Sequence, residues 1–506
     1  MSLRNEQEFK QQICHIYQKV MKECKEAEGK FFIADKVFSR NNLLAYLALL
    51  QNTNSILSQQ LVDNGFAPLD YSKEHVLYTF QKIINYLNIV TDPLEDHKII
   101  TPSESRHISR KHSEDLFGPK NSHLQSSIMV TLDSHTLNQP ELLDELLMNG
   151  MNIVRINCAH NHETIWKQLI NNLRNAENCL KEKGKYERER SCKIYMDLAG
   201  PKIRIGDLGI EEIFVKKGDR LRLYPGSQKP GYAAKEHEPA GVPVTLEKAF
   251  RNVRKNDRVF IDDGKISGFV SQITEDFVEI EIHSPIVHPL RIKTGKGLNL
   301  PDSLLSLNVP ALTEKDLHDL EFISKNADII GISFVHSPLD LKKLRNELER
   351  LDAQNLAVVA KIETKDAVHQ LSRIILEGLN FHRFGIMIAR GDLAVEVGLE
   401  NLLFVQEEII NICKASHIPV IWATGVLEKL TKKGIPARAE ITDAGQAARA
   451  NCIMLNKGPY VLDSLKMLTK LLNVEHVELP RQRPSISFLT AQYGIFDGQN
   501  KRDQLP

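Results

Sequence analysis

Eight short, apolar, β-rich segments, most of them followed by a stretch long enough for a helix, constrain the fold of this chain more than any other feature. Near-continuous apolar strands are expected where a strand is buried on both faces, as in a parallel sheet covered by helices. Eight such strand and helix units close a (β/α)8 barrel, or TIM barrel, so the sequence predicts an α/β fold of this kind. The predicted strands are residues 127–132, 152–157, 193–199, 328–334, 357–363, 385–390, 419–424 and 452–456.

The long interval between the third and fourth predicted strands has a different pattern. From residue 207 to 290, alternating β segments are separated by Gly, Pro and Asp-Gly turns, which is typical of a small β domain. An insertion after the carboxyl end of a barrel strand lies over the catalytic face, where it can act as a lid. We therefore expect a small inserted β-barrel lid domain at 207–290, and the barrel itself at 123–206 and 291–475.

The residues before the barrel show the periodicity of amphipathic helices. Apolar side chains recur at helical spacing, as in Phe9, Ile13, Tyr17 and Val20. This pattern predicts an all-α domain over residues 1–95. The polar residues 96–122 are interpreted as a linker, and residues 476–506 as a polar tail.

Composition argues against several classes of function. Lys plus Arg and Asp plus Glu number 65 each, so no net charge attracts nucleic acid or an anionic membrane. No apolar run reaches the roughly 18 residues that a membrane span needs. The seven cysteines show no CxxC and no metal-type spacing, as expected for reduced thiols. We expect a cytoplasmic protein with small-molecule partners and no nucleic-acid or membrane partner.

Charged side chains gather where the predicted strands end. Reacting groups of this barrel come from those carboxyl ends, so the charges are expected to converge on one mouth. Glu363 and Asp392, on neighbouring strands, place two carboxylates within reach of one hard cation such as Mg²⁺ or Mn²⁺. Lys361 lies two residues before Glu363 and therefore points to the same face. The same ends carry Arg155, Asn157, Asp197, Lys202, Arg204 and Thr424.

A metal ion beside an ammonium group favours phosphoryl chemistry, because both neutralise charge on the oxygens of a phosphoryl group in transfer. Arg155 and Arg204 add guanidinium groups that bind phosphate oxygens in pairs. The segment from 389 to 394 begins a helix, so the N–H groups of Gly391 and Asp392 can receive a carboxylate. Thr424 can donate its hydroxyl beside them. This set predicts a site for a small phosphorylated carboxylic acid.

Each of these residues also has a purely structural interpretation. A Lys-x-Glu pair is usually a solvated ion pair, and Arg155 could simply pair with Asp197 across two strands. The position of all these residues at one end of successive strands favours the catalytic interpretation.

The motifs of these segments resemble those of the pyruvate kinase family, from about Ser126 to Val474. The similar strings, in family order, include GMNIVRINCAH, MDLAGPKIRIG, IDDGKISG, GISFV, AKIET, IARGDLAVEVG and PVIWATGVLEKL. The resemblance implies transfer of a phosphoryl group from phosphoenolpyruvate to ADP, giving pyruvate and ATP. It also implies a divalent metal ion, Mg²⁺ or Mn²⁺, as cofactor.

The resemblance also implies a role for each matching residue. Glu363 and Asp392 would bind the metal ion, and Lys361 would stabilise the transferring phosphoryl group. Substrate contacts are implied for Arg155, Lys361, Gly391, Asp392 and Thr424, with Thr424 assisting protonation of the enolate. Nucleotide contacts are implied for Asn157, His160 and Arg204.

Several positions depart from the family pattern. Ala159 stands where the family usually has Ser, and Leu198-Ala199 where it has Thr-Lys, so the oxygens of a K⁺ site are depleted. Lys202 stands where K⁺-dependent members carry Glu. Near Asn157 and Asp197 its ammonium could replace the cation, so K⁺ is not expected to be required.

Two other functions stay open from the sequence. One is a metal-dependent pyruvate or enolate lyase with aldolase-like chemistry, because a Glu/Asp metal site also stabilises enolates. The other is a pseudoenzyme that binds without turnover, suggested by Ala159, Ala199 and Gly425, the last in place of the usual Gln. No segment resembles the family's carboxy-terminal regulatory domain, so sugar-phosphate regulation of that form is not expected. The helical domain is interpreted as a packing module or as a contact surface for a partner or a homo-oligomer.

Overall fold

The computed structural model of the protein describes residues 3–31, 35–53, 55–90, 99–119, 123–185, 191–226, 229–245, 250, 252–302 and 310–473. The predicted tail at 476–506 lies outside these residues. In chain order the strands are β1 (Ser127–Leu132), β2 (Ile153–Asn157), β3 (Lys193–Asp197), β4 (Ile213–Val215), β5 (Arg220–Pro225), β6 (Ala240–Val244), β7 (Arg258–Ile261), β8 (Ile266–Ile273), β9 (Val278–Ser284), β10 (Leu290–Ile292), β11 (Leu298–Asn299), β12 (Ile329–Ile332), β13 (Ala357–Ile362), β14 (Phe384–Ala389), β15 (Val420–Ala423) and β16 (Cys452–Leu455).

Eight of these strands close into a parallel barrel in the order β1-β16-β15-β14-β13-β12-β3-β2. Each lies within one of the eight predicted segments or begins one residue before it, so the predicted (β/α)8 fold class is confirmed. The side chains of β1, β12, β13, β14, β15 and β16 are buried along the whole strand. That burial on both faces explains why these segments are apolar without alternation.

Helices surround the barrel and precede it. In chain order they are α1 (Leu3–Glu28), α2 (Val37–Asn52), α3 (Ser55–Asp63), α4 (Val76–Tyr86), α5 (Pro102–Phe117), α6 (Pro140–Met148), α7 (Glu163–Glu182), α8 (Glu314–Asn326), α9 (Pro338–Arg350), α10 (Lys365–His369), α11 (Leu371–Gly378), α12 (Arg390–Val397), α13 (Leu399–Ala415), α14 (Glu428–Lys433), α15 (Arg438–Ala447) and α16 (Val461–Leu472), with 3₁₀ helices at Leu69–His75 and Ser134–Asn138. Among the described residues, no helix combines the length and the apolar character that crossing a bilayer requires.

The amino-terminal region is helical, as the spacing of its apolar residues predicts, and it packs directly on the barrel. Its apolar residues belong to the same core cluster as the outer layer of the barrel. Asn42 donates to the carbonyl of Ala415 at 2.8 Å, and Ser39 contacts the imidazole Nδ1 of His417 at 3.0 Å. The region therefore shares a core with the barrel, and buried polar contacts fix its orientation.

Residues 102–117, which the sequence analysis assigned to a linker, form the helix α5 instead. Thr101 and Glu104 form a capping box at its start, and Pro102 occupies the first turn. Its last residues, Leu116 and Phe117, are 1% exposed and pack into the barrel interior. The linker prediction was wrong here because only one end of this helix is apolar.

The insert between β3 and β12 forms two sheets with a core of their own. One has six strands in the order β11-β7-β8-β9-β5-β6, and the other pairs β10 with β4. These strands extend to Asn299, beyond the predicted boundary at residue 290. Because its core cluster is separate from that of the barrel, the insert is an independently packed unit over the carboxyl ends of the strands.

Candidate active site

A pocket of about 170 Å³ lies at the carboxyl ends of the barrel strands, under the insert. It shares part of its lining with a larger cleft of about 1130 Å³, to which His160 contributes. The two spaces together therefore reach every predicted site residue. Those that line the smaller pocket are Arg155, Asn157, Lys202, Arg204, Lys361, Glu363, Gly391, Asp392 and Thr424.

The buried carboxylate of Asp197, the last residue of β3, links two basic side chains of the pocket. Its Oδ2 accepts hydrogen bonds from the guanidinium of Arg155, the shortest at 2.6 Å, and lies 3.2 Å from Nζ of Lys361. Burial alone would raise the pKa of Asp197, but Lys361 and Arg155 hold it below its usual value. Arg155 is thus both a partner of Asp197 and part of the pocket wall.

The ammonium of Lys361 is surrounded by oxygens. It lies 3.1 Å from Oε1 of Glu363, as strand alternation predicts, and donates to Oγ of Ser333 at 2.8 Å. Although burial favours the neutral amine, the carboxylates of Asp197 and Glu363 raise the pKa of Lys361. The side chain is therefore a fixed positive charge at the base of the pocket.

Glu363 and Asp392 approach the pocket from the neighbouring strands β13 and β14. Oε2 of Glu363 accepts a hydrogen bond from the backbone N–H of Phe334 at 2.7 Å. Burial and then the charge of Asp392 raise the pKa of Glu363, against the lowering effect of Lys361. Both carboxylates line the pocket, and each has a lysine partner, Lys361 for Glu363 and Lys202 for Asp392.

Lys202 bridges the barrel and the insert. Its Nζ lies 2.7 Å from Oδ1 and 3.0 Å from Oδ2 of Asp392, and 3.4 Å from Oδ1 of Asp263 in the insert. A Cβ atom at Gly297 would lie 2.6 Å from Cε of Lys202, so the absence of a side chain there lets the lysine pass. The sequence predicts this ammonium near Asn157 and Asp197, whereas its ion pairs are with Asp392 and Asp263.

Thr424 follows β15 in a left-handed backbone conformation, with φ of 67°. This conformation is unfavourable for a β-branched residue and persists only where neighbours hold it. Arg390 supplies that support, because it donates to the carbonyls of Ala423, at 3.0 Å, and of Thr424. Arg390 is itself held by Asp443 and by the ring of Trp422, 4.8 Å from its guanidinium carbon.

The residues expected near a nucleotide lie on the side of the cleft toward β2. Arg204 donates to the carbonyl of Gly295 in the insert at 2.9 Å. Burial and the charges of Lys457, Arg204 and Arg155 lower the pKa of His160. Asn157 uses its side-chain oxygen to accept the N–H of Ala159 at 3.0 Å. This side of the cleft is rich in positive charge.

Several residues that shape the site were not identified from the sequence. Asp316 accepts hydrogen bonds from the backbone N–H groups of Ala199 and Gly200, at 2.9 and 3.3 Å, and so holds the loop that leads to Lys202. It also caps α8 together with Thr313. The T-x-x-D pattern at 313–316 predicts the cap, although not the contact with the loop. Arg390 and Asp443 were likewise not recognised as supports of Thr424.

The carboxylates of Glu363 and Asp392 fit one kind of metal ion. Within the described part of the chain, no three or more His, Cys, Asp or Glu residues form a group that could hold a metal ion. Mg²⁺ is commonly held by one or two carboxylates, with water and substrate oxygens completing its shell. Two carboxylates that face one pocket meet that requirement.

The fold and the pocket define a (β/α)8-barrel protein with a charged candidate active site under an inserted β domain. The family model described as "Pyruvate kinase, barrel domain" matches residues 123–461. A protein named pyruvate kinase from Thermococcus litoralis is 32% identical over 340 residues, which cover 66% of each chain. Those from Chlamydia muridarum and Thermotoga maritima are also 32% identical, over 69% and 68% of this chain and 68% and 70% of their own. The chain belongs to the pyruvate kinase family.

Proposed function

We propose that the protein transfers the phosphoryl group of phosphoenolpyruvate to a nucleoside diphosphate such as ADP, and that the resulting enolate is protonated to pyruvate. The observation that carries this proposal is the convergence of two ammonium groups, three carboxylates and two guanidinium groups on one pocket. Family membership supports a kinase-type enzyme, and the basic side of the larger cleft suits a second phosphorylated substrate.

The side chains of the pocket divide the work of binding the two substrates. Lys361 places a fixed positive charge beside the transferring phosphoryl group, and Arg155 binds the same group with its remaining donors. Asn157, His160 and Arg204 bind the phosphates of the nucleotide. Because phosphoryl transfer depends mainly on positioning and charge, these contacts supply most of the catalysis.

The remaining contacts concern the carboxylate and the carbon that is protonated. The N–H groups of Gly391 and Asp392 at the start of α12 bind the substrate carboxylate. The hydroxyl of Thr424 passes a proton through water to the enolate carbon. Glu363 and Asp392 would hold Mg²⁺ or Mn²⁺, which would supply positive charge to the phosphoryl oxygens when bound.

Lys202 supports activity without K⁺. Its ammonium lies 2.7 Å from Asp392, so a monovalent positive charge is built into the chain at the metal-binding carboxylate. We expect equal rates in K⁺ and in tetramethylammonium at the same ionic strength. A large activation by K⁺ would contradict this part of the proposal.

The deciding experiment measures pyruvate release from phosphoenolpyruvate with each nucleoside diphosphate, with Mg²⁺ and with a chelator. A Lys361→Met variant should lose about a thousandfold in kcat, the order expected for a group that stabilises transition-state charge. Lys342→Met, on the exposed face of α9, is the matched control and should retain full activity.

The other functions predict different results in the same experiment. Cleavage of a carbon–carbon bond with no need for a diphosphate would favour the lyase. Binding of phosphoenolpyruvate without turnover would favour the pseudoenzyme. Either result would overturn the proposed phosphoryl transfer.

A further inference from the structure

A second large cavity, of about 770 Å³, lies at the opposite end of the barrel from the candidate active site. It is bounded by the first residues of β1 and β15, by the residues before β16, and by the end of α13. Its other walls are α5 and the 3₁₀ helix of the amino-terminal region. Both of these walls precede residue 123, where the match to the family model begins.

The wall formed by α5 is polar where a packed helix face would be apolar. The α5 residues that line the cavity recur at helical spacing and therefore lie on one face. Only the last two residues of α5, Leu116 and Phe117, enter the barrel core. The face toward the cavity thus offers guanidinium and hydroxyl donors. Its residues are Pro102, Arg106, Ser109, Arg110, Ser113 and Glu114.

The barrel wall adds two further basic side chains, Lys414 and Arg449. Glu407 binds the two terminal nitrogens of Arg449, one of them at 2.7 Å, which fixes the direction of the guanidinium. Arg449 therefore presents a guanidinium of fixed direction to the cavity wall.

The charge of the cavity is positive although the chain as a whole is neutral. Four basic side chains line it, and the acidic ones are Glu74 and Glu114. Glu114 pairs with Arg110 at 2.7 Å, and Glu407, outside the lining, pairs with Arg449, so two of the four positive charges already have acidic partners. The charge of Arg106 also adds to the burial that lowers the pKa of His75 beside it. An anionic ligand is therefore favoured over a neutral or cationic one.

We propose that this cavity is a second ligand site, which binds a small molecule carrying a phosphate group between α5 and the base of the barrel. Arginine forks and serine hydroxyls are the donors that suit the several oxygens of a phosphate. The volume accommodates an organic molecule attached to that phosphate. The amino-terminal region and α5 thereby gain a binding role that does not depend on the reaction at the other end of the barrel.

The test is calorimetric titration of the full chain with glycerol 3-phosphate, which both ends of the barrel are expected to bind. We expect two classes of site in the unmodified protein. A variant with Arg106→Ala and Arg110→Ala should weaken one class at least tenfold, and Arg204→Ala should weaken the other. Lys111→Ala, which removes one positive charge at an exposed position of α5 outside the cavity, is the control for each single Arg substitution and should change neither class.

Inorganic phosphate and citrate are titrated as separate arms. Displacement of glycerol 3-phosphate from the Arg106 and Arg110 class by inorganic phosphate, with weaker displacement by citrate, is the result expected for phosphate recognition. The proposal would be overturned if the paired Arg substitutions weakened no class of site, or if citrate bound more strongly than glycerol 3-phosphate. A single class that these substitutions abolish would support the cavity site and count only against binding at the catalytic end. If the double variant does not fold, the two single variants carry the same test.

Discussion

The two ends of the barrel are built from the same strands but use opposite chemistry. At the carboxyl end, Asp197, Lys361 and Glu363 are buried yet charged, and each is paired with another charged group. At the amino end, Leu116 and Phe117 close the barrel interior with apolar surface. The candidate site is thus stabilised by mutual neutralisation of charges, and the closed end by burial of apolar groups.

Function and stability therefore depend on different ends of the barrel. Buried charges contribute little net stability, because desolvation offsets their attraction, but they provide a fixed field for substrates. Apolar packing contributes stability and no chemistry. Substitutions at the closed end should therefore change the free energy of unfolding without changing the kinetics, and those around the pocket should change the kinetics.

The largest effect on stability is expected for Phe117→Ala. Phe117 is 1% exposed in the barrel interior, and truncation of a buried Phe costs about 3–5 kcal/mol in free energy of unfolding. Denaturant unfolding measures the loss, while the KM for phosphoenolpyruvate should stay within about twofold because the pocket lies at the other end. Phe404→Ala, at a position that is 71% exposed, should change the unfolding energy by no more than about 0.5 kcal/mol. If Phe117→Ala raised the KM and left the free energy of unfolding unchanged, the proposed difference between the two ends would be contradicted.

The barrel could be predicted from the sequence, but its closure by α5 could not. Buried parallel strands produce continuous apolar segments, and that signal is local. In α5 the apolar residues are Ile108 and, at the end of the helix, Leu116 and Phe117, while Ser105 and His112 contact His417 of the barrel through polar groups. The capping box of Thr101 and Glu104 and the Pro102 in the first turn are the local signals that could have predicted this helix.

The candidate site was predictable to the extent that strand ends define it. Alternation correctly placed Lys361 beside Glu363, because that relation is internal to one strand. The partners of Lys202 were not predictable, since Asp392 and Asp263 reach it from two other segments of the fold. Contacts between loops that are distant in the sequence leave no local pattern.

The second prediction concerns the loss of stability at low pH that His417 causes at the amino end of the barrel. Burial lowers the pKa of His417 from 6.5 to about 4, so its neutral form stabilises the folded state. That contribution, about 3 kcal/mol, is fully present above pH 6.5 and is lost as pH falls toward 4. His417→Asn, which tolerates the positive φ at this position, should lack this part of the acid sensitivity. Urea unfolding from pH 4 to 8 measures it, with the exposed His107→Asn as control; equal acid sensitivity of His417→Asn and the parent would contradict the assignment.

The contribution of the catalytic end to stability should depend on pH in the opposite direction, by about 3 kcal/mol. Burial raises the pKa of Glu396 from 4.5 to about 7, so the protonated form stabilises the fold. Its contribution is present below pH 4.5 and is lost as pH rises through 7. Without added divalent metal, Glu396→Gln should show a smaller loss of stability between pH 4.5 and 8 than the parent protein. Glu400→Gln, an exposed position four residues further on, should behave like the parent.

The smallest change in the free energy of unfolding is expected for substitution of Asp316, which also tests whether stability and kinetics can be separated near the pocket. Asp316→Ala removes the acceptor for the N–H groups of Ala199 and Gly200, and should cost about 1–2 kcal/mol. Because this loop leads to Lys202 and Arg204, the KM for the diphosphate should also rise several-fold.

Asp340→Ala is the matched control for Asp316→Ala, because Asp340 caps α9 in the same way but accepts from the loop after β12, not from the loop that leads to Lys202 and Arg204. It should lose similar stability with an unchanged KM. Asp316→Asn should recover part of the KM effect, because its amide oxygen still accepts from the loop while its nitrogen cannot accept from Thr313. If both Ala variants raise the KM equally, general loosening of the barrel explains the effect, and the two ends are not energetically separate.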